Sequence, residues 1–122
     1  MTKRIMIVDD DREYTHLFRL MLERSGYDII EVSKGADVFR RLMTESYDLV
    51  FLDYRMKDVK GDKICENIRS EEKLKDLPLV IVTAYRDHDP AFFKTMGAND
   101  VVYKPVDRNE LVRIAEKYLK EK

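Results

Sequence analysis

The sequence predicts an α/β fold in which a parallel sheet of five strands lies between two layers of helices. Short apolar runs alternate along the chain with segments whose apolar residues recur at helical spacing. Two of these runs, residues 49–52 and 79–82, are apolar at every position, which is typical of strands buried on both faces. Strict alternation of strands and helices favours right-handed crossovers, with helices on both sides of the sheet.

The first half of the chain predicts two strand–helix units. Residues 5–8 form the first strand, and Gly26 ends the helix that begins near Arg12, because glycine readily adopts the left-handed conformation after a helix. The expected apolar face of that helix consists of Tyr14, Leu17, Phe18, Met21 and Leu22. Residues 29–32 have the mixed polarity of an edge strand, and Ser33 is predicted to cap the second helix. The apolar residues of the second helix are Val38, Phe39, Leu42 and Met43.

The next two units have the same organisation. Residues 48–53 form the third predicted strand, and Gly61 marks the turn before the third helix. Residues 79–83 form the fourth strand, after which Pro90 suits the first turn of a helix that ends at Gly97. The apolar residues of these helices are Ile64, Cys65 and Ile68 in the third, and Phe92, Phe93 and Met96 in the fourth.

The last unit begins with residues 101–103, a short strand that Lys104-Pro105 brings to an end. Asp107 and Glu110 have the spacing of a capping box and predict the start of the fifth helix. The expected buried residues of this helix are Leu111, Ile114, Ala115, Tyr118 and Leu119.

Composition limits the classes of function. With 23 basic and 24 acidic side chains, the chain has no basic excess for binding nucleic acid or an anionic membrane. The single cysteine, Cys65, excludes an internal disulfide and fits a reducing compartment. The apolar run at residues 5–8 is too short for a signal peptide or a membrane span. We therefore expect a cytoplasmic protein, with residues 1–122 forming a single domain.

Polar residues follow four of the predicted strands. Asp9 and Asp10 end the first strand, Asp53 the third, Thr83 the fourth and Lys104 the fifth. In a parallel sheet these ends lie on one rim, where α/β proteins bind ligands. Crowded carboxylates repel each other, and Mg²⁺, which prefers oxygen ligands and phosphate, is the simplest remedy. A carboxylate beside a metal, a hydroxyl and an ammonium group indicates a phosphoryl acceptor.

Four motifs, in this order and spacing, resemble the receiver domain of two-component response regulators. They are Ile-Val-Asp-Asp at 7–10, Leu-Asp-Tyr-Arg-Met-Lys-Asp-Val-Lys-Gly at 52–61, Val-Thr-Ala at 82–84 and Tyr-Lys-Pro at 103–105. The resemblance extends over essentially the whole chain. It implies a doubly wound, flavodoxin-like (βα)5 fold with the strand order 2-1-3-4-5.

The resemblance also implies the chemistry of the rim. Asp53 is then the phosphorylated residue, and Mg²⁺ is surrounded by Asp9, Asp10 and Asp53, with the main-chain carbonyl of Arg55 as a further ligand. Asp9 is expected to act mostly through metal-bound water and Asp10 directly.

Thr83 and Lys104 are expected to contact the phosphoryl oxygens, and the peptide bond between Lys104 and Pro105 is expected to be cis. We accordingly expect a signalling phospho-acceptor and not an enzyme.

The family's partners supply expectations about interactions. The phosphoryl group would come from a sensor histidine kinase or a histidine phosphotransfer protein. Helix one of this chain can hold the helix bundle of that donor. The downstream protein would bind a face built by helix four, strand five and helix five, about residues 87–120. A stand-alone receiver of this kind, with no output domain, would be a relay intermediate or a chemotaxis-type regulator, monomeric or dimeric on phosphorylation.

The chain departs from the family pattern at several positions. Lys57 stands where proline is usual, and Val101 where an aromatic residue is usual. Tyr103 is expected to have the wrong parity to replace that aromatic ring, so the switch would run through strand four and helix four with no rotating ring. Arg55 and Tyr85 are bulky at positions that border the path of the attacking water, which predicts slow hydrolysis of the phosphoryl aspartate.

Other interpretations have less support. The chain could be the receiver fragment of a longer DNA-binding or enzymatic regulator. An aspartate-nucleophile phosphatase would need an acid where Arg55 stands, and a flavin carrier would need a Ser/Thr/Gly-rich loop in place of residues 9–11. Asp11 is expected to be a helix cap and Cys65 a small core residue. His16 and His88 have no partners spaced for a metal site and are expected at the surface.

Overall fold

A computed structural model describes residues 2–120 and shows one parallel sheet in the order β2-β1-β3-β4-β5. The strands are β1 (Arg4–Val8), β2 (Asp28–Val32), β3 (Leu49–Asp53), β4 (Leu79–Thr83) and β5 (Asp100–Tyr103). All four neighbouring pairs are parallel. The predicted fold class and strand order are therefore confirmed, including the place of the second strand at an edge.

Helices cover both faces of this sheet. They are α1 (Arg12–Glu23), α2 (Val38–Thr44), α3 (Gly61–Ser70), α4 (Pro90–Thr95) and α5 (Arg108–Leu119), with single 3-10 turns at Gly35–Asp37 and Glu72–Leu74. Successive strand residues point to opposite faces, so Ile5 and Ile7 pack with α1 and α5, while Met6 and Val8 pack with α2, α3 and α4. Every residue of β3 and β4 is buried, as their uninterrupted apolar runs predict. Within residues 2–120, no helix has the length and hydropathy needed to cross a membrane.

The apolar face of α1 differs from the predicted one at Leu17, which is 44% exposed. The core-facing residues of this helix are Thr15, Phe18 and Leu22. Thr15 can be buried because its hydroxyl shares its proton between two acceptors, the Arg12 carbonyl (3.0 Å) and Glu31 Oε1 (2.7 Å). The buried face of the helix therefore includes Thr15 and leaves Leu17 at the surface.

The predicted cap at Ser33 is wrong. The chain enters α2 through the 3-10 turn, and the Asp58 carboxylate accepts the amides of Gly35 (3.0 Å) and Ala36 (3.1 Å) from another loop. These bonds hold the pKa of Asp58 below its usual range against the opposing effect of burial. The cap therefore comes from a residue that is distant in sequence.

Three other helix starts and the core cysteine are as predicted. Asp11 accepts the Glu13 amide at α1, Asp107 accepts the Glu110 amide at α5, and Asp89 accepts the Phe92 amide ahead of Pro90 at α4. These carboxylates satisfy amides that a helix leaves unpaired. Cys65 is a free, fully buried thiol, and burial raises its pKa to about 12.

Gly61 closes the loop between β3 and α3, which forms one wall of the rim. Its amide donates to the Tyr54 carbonyl at 3.1 Å. A Cβ at this position would lie 2.8 Å from that carbonyl oxygen and 3.0 Å from the Tyr54 Cα. The close approach of two backbone segments thus requires glycine.

We expect Gly61→Ala to lower the free energy of unfolding by about 2–3 kcal/mol, because the added methyl group meets backbone atoms that cannot move aside. Gly26→Ala is the matched control, since Gly26 has φ +86° but open space around the missing Cβ. That change should cost only about 1 kcal/mol. Urea unfolding of both variants measures the difference, and an equal or smaller loss at Gly61 would contradict the steric argument.

Candidate functional site

The carboxyl ends of the strands bring the predicted site residues to one rim of the sheet. Asp9 follows β1, Asp53 ends β3, and one carboxylate oxygen from each of Asp9, Asp10 and Asp53 lies within 4.8 Å of the others. Asp9 and Asp53 are buried and Asp10 is half-buried. We call these three residues the acidic cluster. Their meeting depends on the direct pairing of β1 with β3.

Lys104 provides the positive charge of the rim. Its Nζ lies 2.8 Å from Asp9 Oδ2 and 3.8 Å from Asp53 Oδ1, and 4.1 Å from the centre of the Tyr14 ring. Burial alone would lower the pKa of Lys104, but the hydrogen bond to Asp9 and the charges of Asp53 and Asp9 outweigh it and raise that pKa. The ammonium group therefore stays charged at neutral pH.

Asp53 occupies the least favourable position for a negative charge. It is 8% exposed. Burial, followed by the charge of Asp9, raises the pKa of Asp53 to about 6, although Lys104 and the Arg55 amide partly offset these effects. The Arg55 amide lies 3.4 Å from Asp53 Oδ1. Because burial and the charge of Asp9 disfavour the ionised form of Asp53, binding of a cation beside this carboxylate would be favourable.

The loop between β3 and α3 contacts the acidic cluster through its backbone. The Lys57 amide donates to Asp10 Oδ2 at 3.0 Å, and the Asp11 amide donates to Asp9 Oδ1 at 2.9 Å. The side-chain atoms of this cluster that could ligate a metal ion are all carboxylate oxygens, which suits a hard cation such as Mg²⁺. The cluster is compact enough to hold one ion.

Thr83 ends β4 and is 1% exposed. Its hydroxyl oxygen accepts the Tyr85 amide at 2.9 Å, and its carbonyl accepts the Lys104 amide at 2.8 Å. The first bond ties Thr83 to the loop that leads into α4. The peptide bond between Lys104 and Pro105 is cis, as the resemblance implies.

Arg55 and Tyr85 meet above the rim. The Arg55 guanidinium lies over the Tyr85 ring, 3.5 Å from its centre. The two residues belong to different loops, one after β3 and one after β4. The stacked pair therefore bridges these loops next to Asp53 and Thr83.

The expectation about the parity of Tyr103 is wrong. Val101 and Tyr103 are two residues apart, so their side chains leave the same face of the sheet. Both pack against the hydrophobic core beneath α2, α3 and α4. The Tyr103 hydroxyl donates to the His88 carbonyl at 2.8 Å. His88 is half-buried and stacks on Phe92 with ring centres 3.8 Å apart, whereas His16 is exposed as predicted.

Three contacts at the rim were not found from the sequence. The sequence indicates that Tyr14 belongs to the apolar face of α1, but not that its ring lies beneath Lys104. The amide of Lys57 on Asp10 is a backbone contact without any sequence signal. The bond from Tyr103 to His88 joins residues whose neighbourhood depends on the β4–β5 pairing.

This fold and rim define a small doubly wound α/β protein with a carboxylate-rich ligand site at the carboxyl edge of its sheet. A family profile for the response regulator receiver domain matches residues 5–116, and the chain belongs to that family. Receiver domains are phosphorylation switches of two-component systems. They act as signalling phospho-acceptors and interact with histidine kinases and downstream effectors.

Individual relatives differ in length. The chain is 35% identical over 111 residues to the transcriptional regulatory protein GltR of Pseudomonas aeruginosa. This match covers 90% of the chain but only 46% of GltR. It therefore spans less than half the length of that relative. It is 28% identical over 120 residues to the polar-differentiation response regulator DivK of Brucella ovis, with 98% of each chain covered.

Among solved structures, the receiver domain of sensor histidine kinase PA1611 from Pseudomonas aeruginosa PAO1 is similar with a TM-score of 0.89 and 25% identity. The match covers 99% of this chain and 100% of that one. In that structure a magnesium ion is coordinated in the active site cleft.

We expect Asp53→Asn to stabilise the metal-free protein. Because the pKa of Asp53 is raised on folding, its protonated form contributes to the free energy of unfolding below about pH 4, and this contribution is lost as the pH rises through about 6. Asparagine does not titrate. In EDTA, the variant should therefore exceed the wild type by roughly 1–3 kcal/mol at pH 7.5, and by little at pH 4. Chemical unfolding at both pH values measures this.

The exposed Asp76 offers the control, and Asp76→Asn should have no such effect. Added Mg²⁺ should narrow the gap at pH 7.5, because it stabilises the folded wild type. A wild type that is the more stable protein at pH 7.5 in EDTA would contradict the electrostatic account.

Proposed function

We propose that this chain is a receiver that accepts a phosphoryl group on Asp53 from a histidine kinase or a histidine phosphotransfer protein, and then changes its protein-binding surface. One observation carries the proposal. The Asp53 carboxylate lies within 4.8 Å of Asp9 and Asp10 oxygens, and its Oδ1 lies 3.8 Å from the Lys104 ammonium. A carboxylate nucleophile, a cation site and a fixed positive charge thus share one rim.

In this proposal Mg²⁺ is held by Asp9, Asp10, Asp53 and the main-chain carbonyl of Arg55. When bound, the ion supplies positive charge against the crowded carboxylates and the transferred phosphoryl oxygens. Both Asp9 oxygens already accept hydrogen bonds, from the Asp11 amide and from Lys104. This occupancy supports a role for Asp9 through metal-bound water, with Asp10 as the direct ligand.

Lys104 and Thr83 would stabilise the phosphoryl group once it is attached. The Lys104 ammonium already reaches Asp53, and its raised pKa keeps it charged. The Thr83 hydroxyl oxygen accepts the Tyr85 amide, so its own proton can be donated to a phosphoryl oxygen. A shift of Thr83 toward that oxygen would pull on Tyr85 and thereby on the loop before α4.

The downstream face would comprise α4, β5 and α5, about residues 87–120. The proposed route to it runs from Thr83 through the β4–α4 loop. The bond from the Tyr103 hydroxyl to the His88 carbonyl and the stacking of His88 on Phe92 tie this loop to β5 and α4. This route needs no aromatic ring at Val101. In this proposal residues 1–122 form one receiver domain.

The acceptor can be identified by mass. With Mg²⁺ and acetyl phosphate, the wild-type protein should gain the mass of one phosphoryl group, and EDTA should prevent the gain. Asp53→Asn should remain unmodified, while Asp62→Asn, an exposed residue of α3, should be modified like the wild type. An unmodified mass of the folded wild-type protein with Mg²⁺ would overturn the proposal, as would full modification of Asp53→Asn.

The contact between Arg55 and Tyr85 bears on the lifetime of the phosphoryl group. The Arg55 guanidinium carbon lies 3.5 Å from the centre of the Tyr85 ring, and the two residues follow Asp53 and Thr83 by two positions each. A stacked pair at this place supports the prediction of slow hydrolysis, because it would narrow the approach of water to the acyl phosphate.

Replacing both side chains in Arg55→Ala/Tyr85→Ala should shorten the half-life of the phosphorylated protein by about tenfold, which corresponds to 1.4 kcal/mol in the barrier. The decay of the phosphorylated mass after removal of the donor measures the half-life. Arg113→Ala on α5 is the matched control and should leave it unchanged. A wild-type half-life of seconds in Mg²⁺, or the same decay in the double variant, would contradict the role of the pair.

A further inference from the structure

A basic pocket lies beside the acidic cluster, in the loop between β3 and α3. Its volume is about 460 Å³, and its lining consists of Tyr54, Arg55, Met56, Lys57 and Lys60. Three of these five residues are cations on a protein whose net charge is only −1. The lining of the pocket is therefore basic although the protein as a whole has almost no net charge.

The three cations have no carboxylate to neutralise them. Within residues 2–120, neither Arg55, Lys57 nor Lys60 forms an ion pair. Asp58, which adjoins Lys57 in the sequence, is engaged by the amides of Gly35 and Ala36. Lys104 is the cation in ion-pair contact with the acidic cluster, and among residues 2–120 none of the other three cations lies within that distance of it.

The floor of the pocket is packed against the core, and its backbone contacts the acidic cluster. Met56 is 5% exposed and Tyr54 packs edge-on against Phe93 at 5.1 Å, which gives the pocket an apolar floor. The Lys57 amide is bonded to Asp10, and Arg55 is held by the Tyr85 ring. A group bound here would therefore lie next to the rim.

We propose that this pocket binds a carboxylate-rich segment of a partner protein and so holds that partner beside Asp53. Carboxylates suit the guanidinium and ammonium groups, and an apolar side chain among them suits the floor. A nucleic acid is less suitable, because a patch of three cations contacts too few phosphates to bind a strand tightly. The inference rests on the proposed function for the site of phosphoryl transfer, but peptide binding itself does not require that transfer.

The test uses two short peptides of equal length, acetyl-Glu-Glu-Leu-Glu-Glu-amide and acetyl-Gln-Gln-Leu-Gln-Gln-amide, titrated into the ¹⁵N-labelled full chain. The acidic peptide should shift the amide signals of residues 54–60, and the neutral one should not. Binding should weaken at least fivefold between about 20 mM and about 200 mM salt, because screening weakens exposed charge pairs. Shifts that centre elsewhere, or equal binding of the neutral peptide, would overturn the proposal.

Charge reversal at the pocket provides the second measurement. Lys57→Glu/Lys60→Glu should weaken binding of the acidic peptide by about tenfold or more. Lys94→Glu/Arg108→Glu changes the net charge equally at exposed positions of α4 and α5, and should alter the affinity by less than about twofold. Lys57→Gln/Lys60→Gln removes the charges with less risk to folding and should give an intermediate loss. Equal losses in the pocket and control variants would overturn the proposal.

A thymidine hexanucleotide is the competing probe. If it binds the pocket as tightly as the acidic peptide, the assignment to a protein segment is wrong. The proposal that Asp53 is phosphorylated and the proposal that the pocket binds an acidic segment can be tested separately, because phosphorylation by acetyl phosphate requires no peptide. Failure of peptide binding with intact phosphorylation would reject this inference alone.

Discussion

The structure depends on one electrostatic constraint, the confinement of Asp9, Asp10 and Asp53 at the ends of two adjacent parallel strands. The pairing of β1 with β3 brings buried carboxylates together where water cannot screen them. Lys104 offsets part of this repulsion through its contacts with Asp9 and Asp53. Burial, together with the remaining repulsion from Asp9, raises the pKa of Asp53 to about 6. The ionised cluster is therefore the less stable form, and it is also the form that binds a cation.

The loop between β3 and α3 shows how one segment satisfies several demands. Its backbone amides contact the acidic cluster at Asp10 and Asp53, while its cationic side chains line the adjacent pocket and form no ion pair within residues 2–120. Gly61 closes the loop against Tyr54, and Asp58 fastens it to the start of α2. Because the loop is anchored at both of these points, its backbone has a defined position relative to Asp53.

The region after β4 differs in character, because its contacts connect the rim to a helix. The hydroxyl of Thr83 holds the Tyr85 amide, and Tyr103 holds the His88 carbonyl from the adjacent strand. Both contacts are single hydrogen bonds of modest net energy, about 1 kcal/mol each. A change in charge at Asp53 is large enough to rearrange bonds of this strength, which fits a domain whose family functions as a phosphorylation switch.

The fold class, the caps at Asp11 and Asp107 and the convergence of Asp9, Asp53 and Lys104 could all be predicted from the amino-acid sequence, because periodicity, local capping and the shared direction of parallel strands are encoded over short stretches. The strand order followed from the family resemblance. Three other features became visible in the folded structure alone: Asp58 caps the start of α2 in place of Ser33, Thr15 takes a core position that Leu17 was expected to occupy, and Arg55 stacks on Tyr85. Each of these contacts joins residues from different elements, and the energy of such a contact depends on packing that no local pattern contains.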